Sequence, residues 1–331
     1  ERIIFQFARK IGQVDRLMML FLLTWADSKA TGPRAWSEWI SSLLQELFIK
    51  GLHTLENREQ LATPQAAEKA KMTLRSVLSL IGDAMERSQV DRLVDQMSPR
   101  YMLNTAPPEI IRHMEMIRSL ESTPDQRFIL EPRERPSEGC WEVIFISKDR
   151  TGLFADTAGV LALNNLNILA ANIYTWRNGM ALDIFQVTPP QDAMHPEETW
   201  ARVKRDLADT LQGKLALAYR LERQAESPLA HGPEPPARAP RVRIDNKVSD
   251  FFTVIEVFAN DRIGLLYQIT HTLSDLRLDI RIAKVATQGD QSADIFYVRD
   301  AEGQKVEDKK QLTEITRALL HQLGETMDQL E

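Results

Sequence analysis

Over residues 1–121 the apolar positions recur every three or four residues, the spacing of helices that bury one face. VDRLMMLFLLTWAD and AWSEWISSLLQELFIKGLHTL carry the pattern, with Trp36 and Trp39 as core positions. Gly32-Pro33 breaks the first pair of helices and Ser98-Pro99 precedes a short unit. Pro107-Pro108 opens a helix running to about Leu120; proline is tolerated in a first turn, where its missing N–H costs little. From Trp141 the period changes. WEVIFIS is a β-branched and aromatic run, a helix follows, and NILAANIYTW and MALDIFQVT are strands joined by a hairpin signal at Asn178-Gly179. HPEETWARVKRDLADTLQ reads as a helix with an acidic start over His195-Pro196-Glu197-Glu198, and LALAYRLE as a fourth strand. The order β-α-β-β-α-β is the split arrangement of ferredoxin-like sandwiches.

The pattern then restarts: FFTVIEVFA, the turn DRIG, a helix, DIRIAKVATQ, Gly289-Asp290, ADIFYVRD and a last helix over DKKQLTEITRALLHQL. DRTG at 149–152 and DRIG at 261–264 lie 112 positions apart, and the same offset pairs Ala171 with Ala283, Ile173 with Val285 and Thr175 with Thr287. One extra residue in the first hairpin shifts the offset to 111 for Asp183-Ile184-Phe185 and Asp294-Ile295-Phe296. The fold class predicted is α+β: an all-α region at 1–121, a linker at 122–139, a βαββαβ module at 140–225, a Pro-rich linker at 226–247 and a second module at 248–331. The second copy shows no obvious fourth strand, so it is either completed by a partner or shorter.

Composition narrows the class. The chain has 331 residues, enough for two or three domains, with 43% hydrophobic and 27% charged residues, as in ordinary globular proteins. A net charge of −6 argues against a general nucleic-acid binder, which needs a basic surface. No apolar run approaches the ~18 residues of a membrane span. With no signal-peptide pattern and a lone Cys140, which has no basic neighbour in the sequence to activate it, a cytoplasmic protein is expected. The six histidines show no metal-ligand spacing. The chain opens without Met and already in helical register (Ile4, Phe7, Ala8, Ile11), which predicts a truncated product.

The repeated turn has a physical reading. A strand ends, Gly152 or Gly264 allows a tight turn, and a helix begins with free N–H groups and the positive end of its dipole, suited to a carboxylate. Asp149 and Asp261 stand where they can cap the helix or hold a ligand's ammonium group. Spacing alone leaves both roles open.

Two copies of D-R-x-G-L-(F/L), each followed by an A-x-(I/V)-x-T strand and a D-I-F strand, resemble ACT domains, βαββαβ modules that bind amino acids where two modules pack. The resemblance implicates Asp149, Thr151, Gly152, Leu153 and Asn172 in the first copy, and Asp261, Ile263, Gly264, Leu265 and Lys284 in the second, as effector contacts. Many relatives have Pro at the positions of Thr151 and Ile263. LLTWADSKATGPRAWSEWISSLLQELF, SPRYMLNTAPPEIIRHM, IDNKVSDFFTVIEVFANDRIGLL and DIFYVRDAEGQKV further resemble the carboxy-terminal part of the bifunctional PII uridylyltransferase/uridylyl-removing family. That resemblance implies glutamine as effector, the PII signalling protein as substrate of the whole enzyme, Mg or Mn in the whole enzyme with no cofactor in this part, and pairing of ACT modules within or between chains. The family's transferase signature, a Gly-Ser pair before paired acids, is not found, and no His-Asp dipeptide of an HD phosphohydrolase centre occurs. Asp27 in LTWADSKAT matches the last HD metal ligand, and one carboxylate does not hold a catalytic metal. Three functions follow: a glutamine-sensing regulatory part, a metal phosphodiesterase built on Asp27, or a stand-alone ACT module for another amino acid or a protein partner.

Overall fold

A computed structural model describes residues 87–97 and most of 101–324, with scattered positions before residue 87; 98–100, 103, 104, 124, 227–238, 250, 286, 289, 290 and 325–331 lie outside the description. Trp36 and Trp39, the Pro-rich stretch at 227–238 and the Gly289-Asp290 turn fall among the undescribed residues. The chain divides into two compact units, Glu1–Arg112 and His113–Glu331.

In the first unit, α1 (Arg87–Gln96) is amphipathic: Val90, Leu93 and the following Met97 are buried at three- and four-residue spacing. Helix α2 (Pro107–Glu121) starts at the proline pair, as its sequence predicts, and spans the boundary after Arg112. No described helix is long and apolar enough to cross a membrane.

The second unit holds two modules of one design. The first contains β1 (Phe128–Arg135), β2 (Cys140–Lys148), α3 (Leu153–Leu163), β3 (Ile168–Thr175), β4 (Met180–Val187), α4 (Pro196–Leu211) and α5 (Leu217–Ala225). The second contains β5 (Arg241–Asp245), β6 (Thr253–Asn260), α6 (Leu265–Asp275), β7 (Asp279–Lys284), the short β8 (Thr287–Gln288), β9 (Gln291–Arg299) and α7 (Lys309–Gln322). Both sheets are antiparallel, in the order β1-β2-β4-β3 and β5-β6-β9-β7, with β8 beside β9. These are ferredoxin-like α+β sandwiches.

The strand filling the fourth place differs from expectation. LALAYRLE forms helix α5, because Leu217 and Leu221, four apart, are buried while Tyr219 is 61% exposed. In its place β1 flanks β2, drawn from the stretch at 122–139 that reads as linker, and β5 flanks β6 from the stretch at 226–247. Each module therefore runs ββαββα along the chain. The second copy needs no partner to complete its four strands. Both edge strands hide from a periodicity search because they are charged; β5 has only five residues, and β1 carries Pro132, which an edge position tolerates. Arg135 donates to both oxygens of Glu142 across the first hairpin, at 2.7 and 2.8 Å.

The backbone repeats in detail. Gly152 and Gly264 have φ of 78° and 82°, and Asn165 and Arg277, 112 positions apart, have φ of 57° and 56° where each first helix turns into its next strand. A register shift falls between Ile168 and Ala170 and again between Ile280 and Ile282. The modules share one core, with α3 packed on α4, on α5 and, across the module boundary, on α6. That burial from several sides explains why LFADTAGVLAL is apolar nearly all round. Gly159 sets the closeness of the contact: a Cβ there would lie 2.6 Å from Tyr267 Cδ2 and 2.8 Å from Leu217 Cδ2.

Candidate functional site

The edge strands β3 and β7 run alongside one another where the modules meet. Beside them, the first D-R-T-G turn faces the end of α6 and the start of β7 across a cleft of about 660 Å³. Asp149, Thr151, Gly152 and Leu153 line it from one module; Ser274, Arg277, Asp279 and Arg281 line it from the other. Gly152 approaches so closely that an added Cβ would sit 3.2 Å from Ser274 Oγ.

Neither turn aspartate caps its helix. The N-caps are Gly152 and Gly264, with no side-chain hydrogen bond at either. Asp149 instead accepts from Thr175 Oγ1 at 3.2 Å, and its N–H donates to the Gly179 carbonyl at 2.8 Å, tying the turn to the β3–β4 hairpin. Burial of its carboxylate raises the Asp149 pKa; the Thr175 bond opposes this, Asp279 adds to it, and Arg281 opposes it. Asp261 accepts from Asn167 Nδ2 of the other module at 3.1 Å.

The cleft floor holds a residue that reads from sequence only as part of a strand repeat. Asp183 lies on the central strand β4, 2% exposed, and lines the cleft with Ala181. Its Oδ1 meets no hydrogen-bond partner among the described residues. Burial first, then the charge of Asp149, push its pKa well above the ordinary value, against a backbone hydrogen bond from Tyr174. On the opposite wall Arg281 pairs with Asp279 at 2.5 Å, and its buried Nε has no acceptor among the described residues. Both signs of charge thus face one space. The available signal was an aspartate in MALDIFQV on the same strand face as the core residues Ala181, Phe185 and Val187.

The other predicted contacts sit elsewhere. Asn172 is exposed on β3 and lies outside the cleft lining. At the second turn Ile263 is 45% exposed, Leu265 is buried, and Gly264 is approached by Leu221 of α5, whose Cδ2 lies 4.0 Å from where a Cβ would stand. Arg262 donates to the Gln322 carbonyl at 3.3 Å. Lys284 is half-buried on β7, and burial of its ammonium pushes its pKa down to about 7. The two turns are equivalent in backbone and unequal in surroundings.

Asp27 is helical and exposed, and no cluster of three or more His, Cys, Asp or Glu side chains that could hold a metal occurs among the described residues. One exposed carboxylate does not supply the converging ligands of a catalytic divalent ion. Cys140 is buried at the start of β2; burial, then Glu138 and Glu142, raise its thiol pKa against nearby Arg135.

The model of the ACR9-like, ACT-like domain matches residues 241–328. The bifunctional uridylyltransferase/uridylyl-removing enzyme of Rhodospirillum rubrum is 34% identical over 331 residues, covering 98% of this chain and 34% of that enzyme. Its counterpart in Gluconobacter oxydans is 32% identical, over 97% of this chain and 34% of the relative. The Caulobacter vibrioides enzyme is 34% identical, over 95% and 33%. The chain therefore spans about a third of the length of the curated relatives it matches. Among solved structures, an aspartate kinase from Synechocystis aligns over 56% of this chain and 27% of its own, at 17% identity and a TM-score of 0.32, too weak to add to the strand order.

Proposed function

We propose that this chain, a relative over nearly its whole length of one third of the bifunctional uridylyltransferase/uridylyl-removing enzymes, is their amino-acid-sensing regulatory part, with glutamine as effector. The observation that carries the reading is the cleft at the first turn, which sits at the junction of two ACT-type modules and presents acidic and basic side chains from both. An amino acid carries both charges within a few ångströms, so it can engage both walls together. A ligand that touches both modules favours the arrangement in which both walls are in reach. Binding then shifts a population of arrangements, provided the affinities for them differ.

In the whole enzyme that shift would set the balance between attaching uridylyl groups to the PII protein and removing them. Mg or Mn would serve the catalytic domains, whose motifs this chain does not carry, and ACT pairing within the chain would supply the sensing surface. The hydroxyl–carboxylate pair in the cleft lining, Thr175 with Asp149, ties the turn to β3, and the role proposed for the chain itself is binding rather than turnover.

Titration calorimetry of the full chain tests this. Saturable heat with glutamine, and a larger rise in Tm than serine or the branched-chain amino acids give, is expected. Equal or greater stabilisation by another amino acid reassigns the effector, and a folded chain with no response to any amino acid at tens of millimolar overturns the reading.

A further inference from the structure

The second repeat differs from the first at the positions that would have to touch a ligand. Asp294, the counterpart of Asp183, is buried to the same 2%, but Ser292 Oγ donates to its Oδ1 at 2.7 Å. The residue matching Ser292 is Ala181, whose methyl offers no donor, and Asp183 Oδ1 is left without a partner among the described residues, facing the cleft. Opposite, the counterpart of Arg281 is Leu169. The counterpart of Asp279 is Asn167, whose amide is spent on Asp261. Finally α5, anchored by Leu217 and Leu221 and by Gln224 Nε2 donating to Asn165 Oδ1 at 2.6 Å, lies against the second turn. No described element takes the same place over the first turn.

Resting on the sensing role above, we propose that the unit has one amino-acid site rather than two, at the first turn, in which Asp183 receives the ligand's ammonium group and Arg281 its carboxylate. A buried carboxylate oxygen with no donor is costly to maintain, and so is a buried guanidinium N–H with no acceptor. A zwitterion satisfies both at once with charge-assisted hydrogen bonds. Asp149, held by Thr175 at the rim, adds negative potential on the ammonium side. The second repeat, with its carboxylate satisfied internally and a leucine in place of the arginine, keeps the fold and has lost the reader.

Calorimetry on the full chain and four variants tests the assignment, using glutamine, 4-carbamoylbutanoate (glutamine without its amino group) and 4-aminobutanamide (glutamine without its carboxylate). One glutamine per chain is expected; two per chain overturn the single site. Asp183→Asn is expected to weaken glutamine about tenfold or more while leaving 4-carbamoylbutanoate unchanged. Arg281→Leu is expected to weaken glutamine similarly while leaving 4-aminobutanamide unchanged. Ala181→Ser, which supplies Asp183 with the donor that Asp294 has, is expected to weaken glutamine, and Ser292→Ala to leave it unaltered. Because each variant is judged by which analogue it spares, a general loss of structure, which weakens all three ligands, is told apart from the assigned role by a melting curve. Glutamine bound equally well by wild type, Asp183→Asn and Arg281→Leu overturns the assignment and leaves the sensing role standing. If only another amino acid binds, and Asp183→Asn weakens it, glutamine falls and the assignment stands. No binding by any of the twenty amino acids overturns both.

Discussion

Asp183 is a buried carboxyl whose ionisation its surroundings oppose. Burial and the neighbouring Asp149 raise its pKa, so the folded chain retains a proton that the unfolded chain releases. Between the ordinary carboxylate range and that raised value the unfolded state binds fewer protons, and stability falls as pH rises. Asp183→Asn removes this penalty. It is expected to melt above wild type at about pH 7–8, with the gap closing below about pH 4, where both states are protonated. Thermal melts across that range check it; a gap that is constant with pH means that the substitution acts through packing instead. Gly152 is the second residue with a defined cost. Its φ of 78° and the 3.2 Å approach to Ser274 Oγ predict that Gly152→Ala destabilises by about 1 kcal/mol or more, read from denaturant midpoints. The sequence points to this glycine through its repeated turn. It does not point to Asp183 Oδ1 as lacking a donor, because the missing donor belongs to a different residue, Ala181, and shows only against Ser292 in the other repeat.

At the scale of elements, α3 and α6 are held together by a glycine. Gly159→Val would drive new atoms into Tyr267 and Leu217, which a Cβ alone already reaches at 2.6 and 2.8 Å. A loss of about 1–3 kcal/mol is expected from overpacking. Pairing it with Tyr267→Leu should recover part of the loss, and a double-mutant cycle measures how much. Additive effects would mean that the two helices do not meet there. Helix α5 and strands β1 and β5 carry the main differences from the sequence reading. Leucine and alanine alternate at the start of LALAYRLE as in a strand, yet the leucines that bury, Leu217 and Leu221, are one helical turn apart. The edge strands were illegible for the opposite reason. An edge strand makes one ladder instead of two, so FILEPRER and RVRID carry charge and proline that read as linker.

At the scale of the molecule, two modules with one backbone design meet in a cleft at the first turn, while α5 lies against the second. Hydrogen exchange with saturating glutamine is expected to slow at 149–155 and 277–281 together and to leave 261–265 unchanged. Protection at both turns would show that the second site is not closed. Stabilisation should follow mass action, about 2.7 kcal/mol at a hundredfold excess over Kd, within one cooperative transition of the paired modules. The shared core makes that single transition the expectation, since α3 and α6 bury each other's apolar faces.

The sequence by itself determined what depends on local and periodic terms: the helical first part, the duplicated module, its positive-φ glycines and the strands that flank them. Those follow from side-chain period and backbone sterics, which each segment carries alone. Only the tertiary structure decided which of the twin turns lines a cleft. Leu221 reaches Gly264 from an element without a described counterpart over Gly152, and Asn167 reaches Asp261 from the neighbouring module. Asp183 and Arg281, nearly a hundred residues apart, line one cleft only because β3 and β7 come side by side. Hydrogen-bond satisfaction and desolvation are set by neighbours in space, and near-identical motifs therefore end in unequal sites.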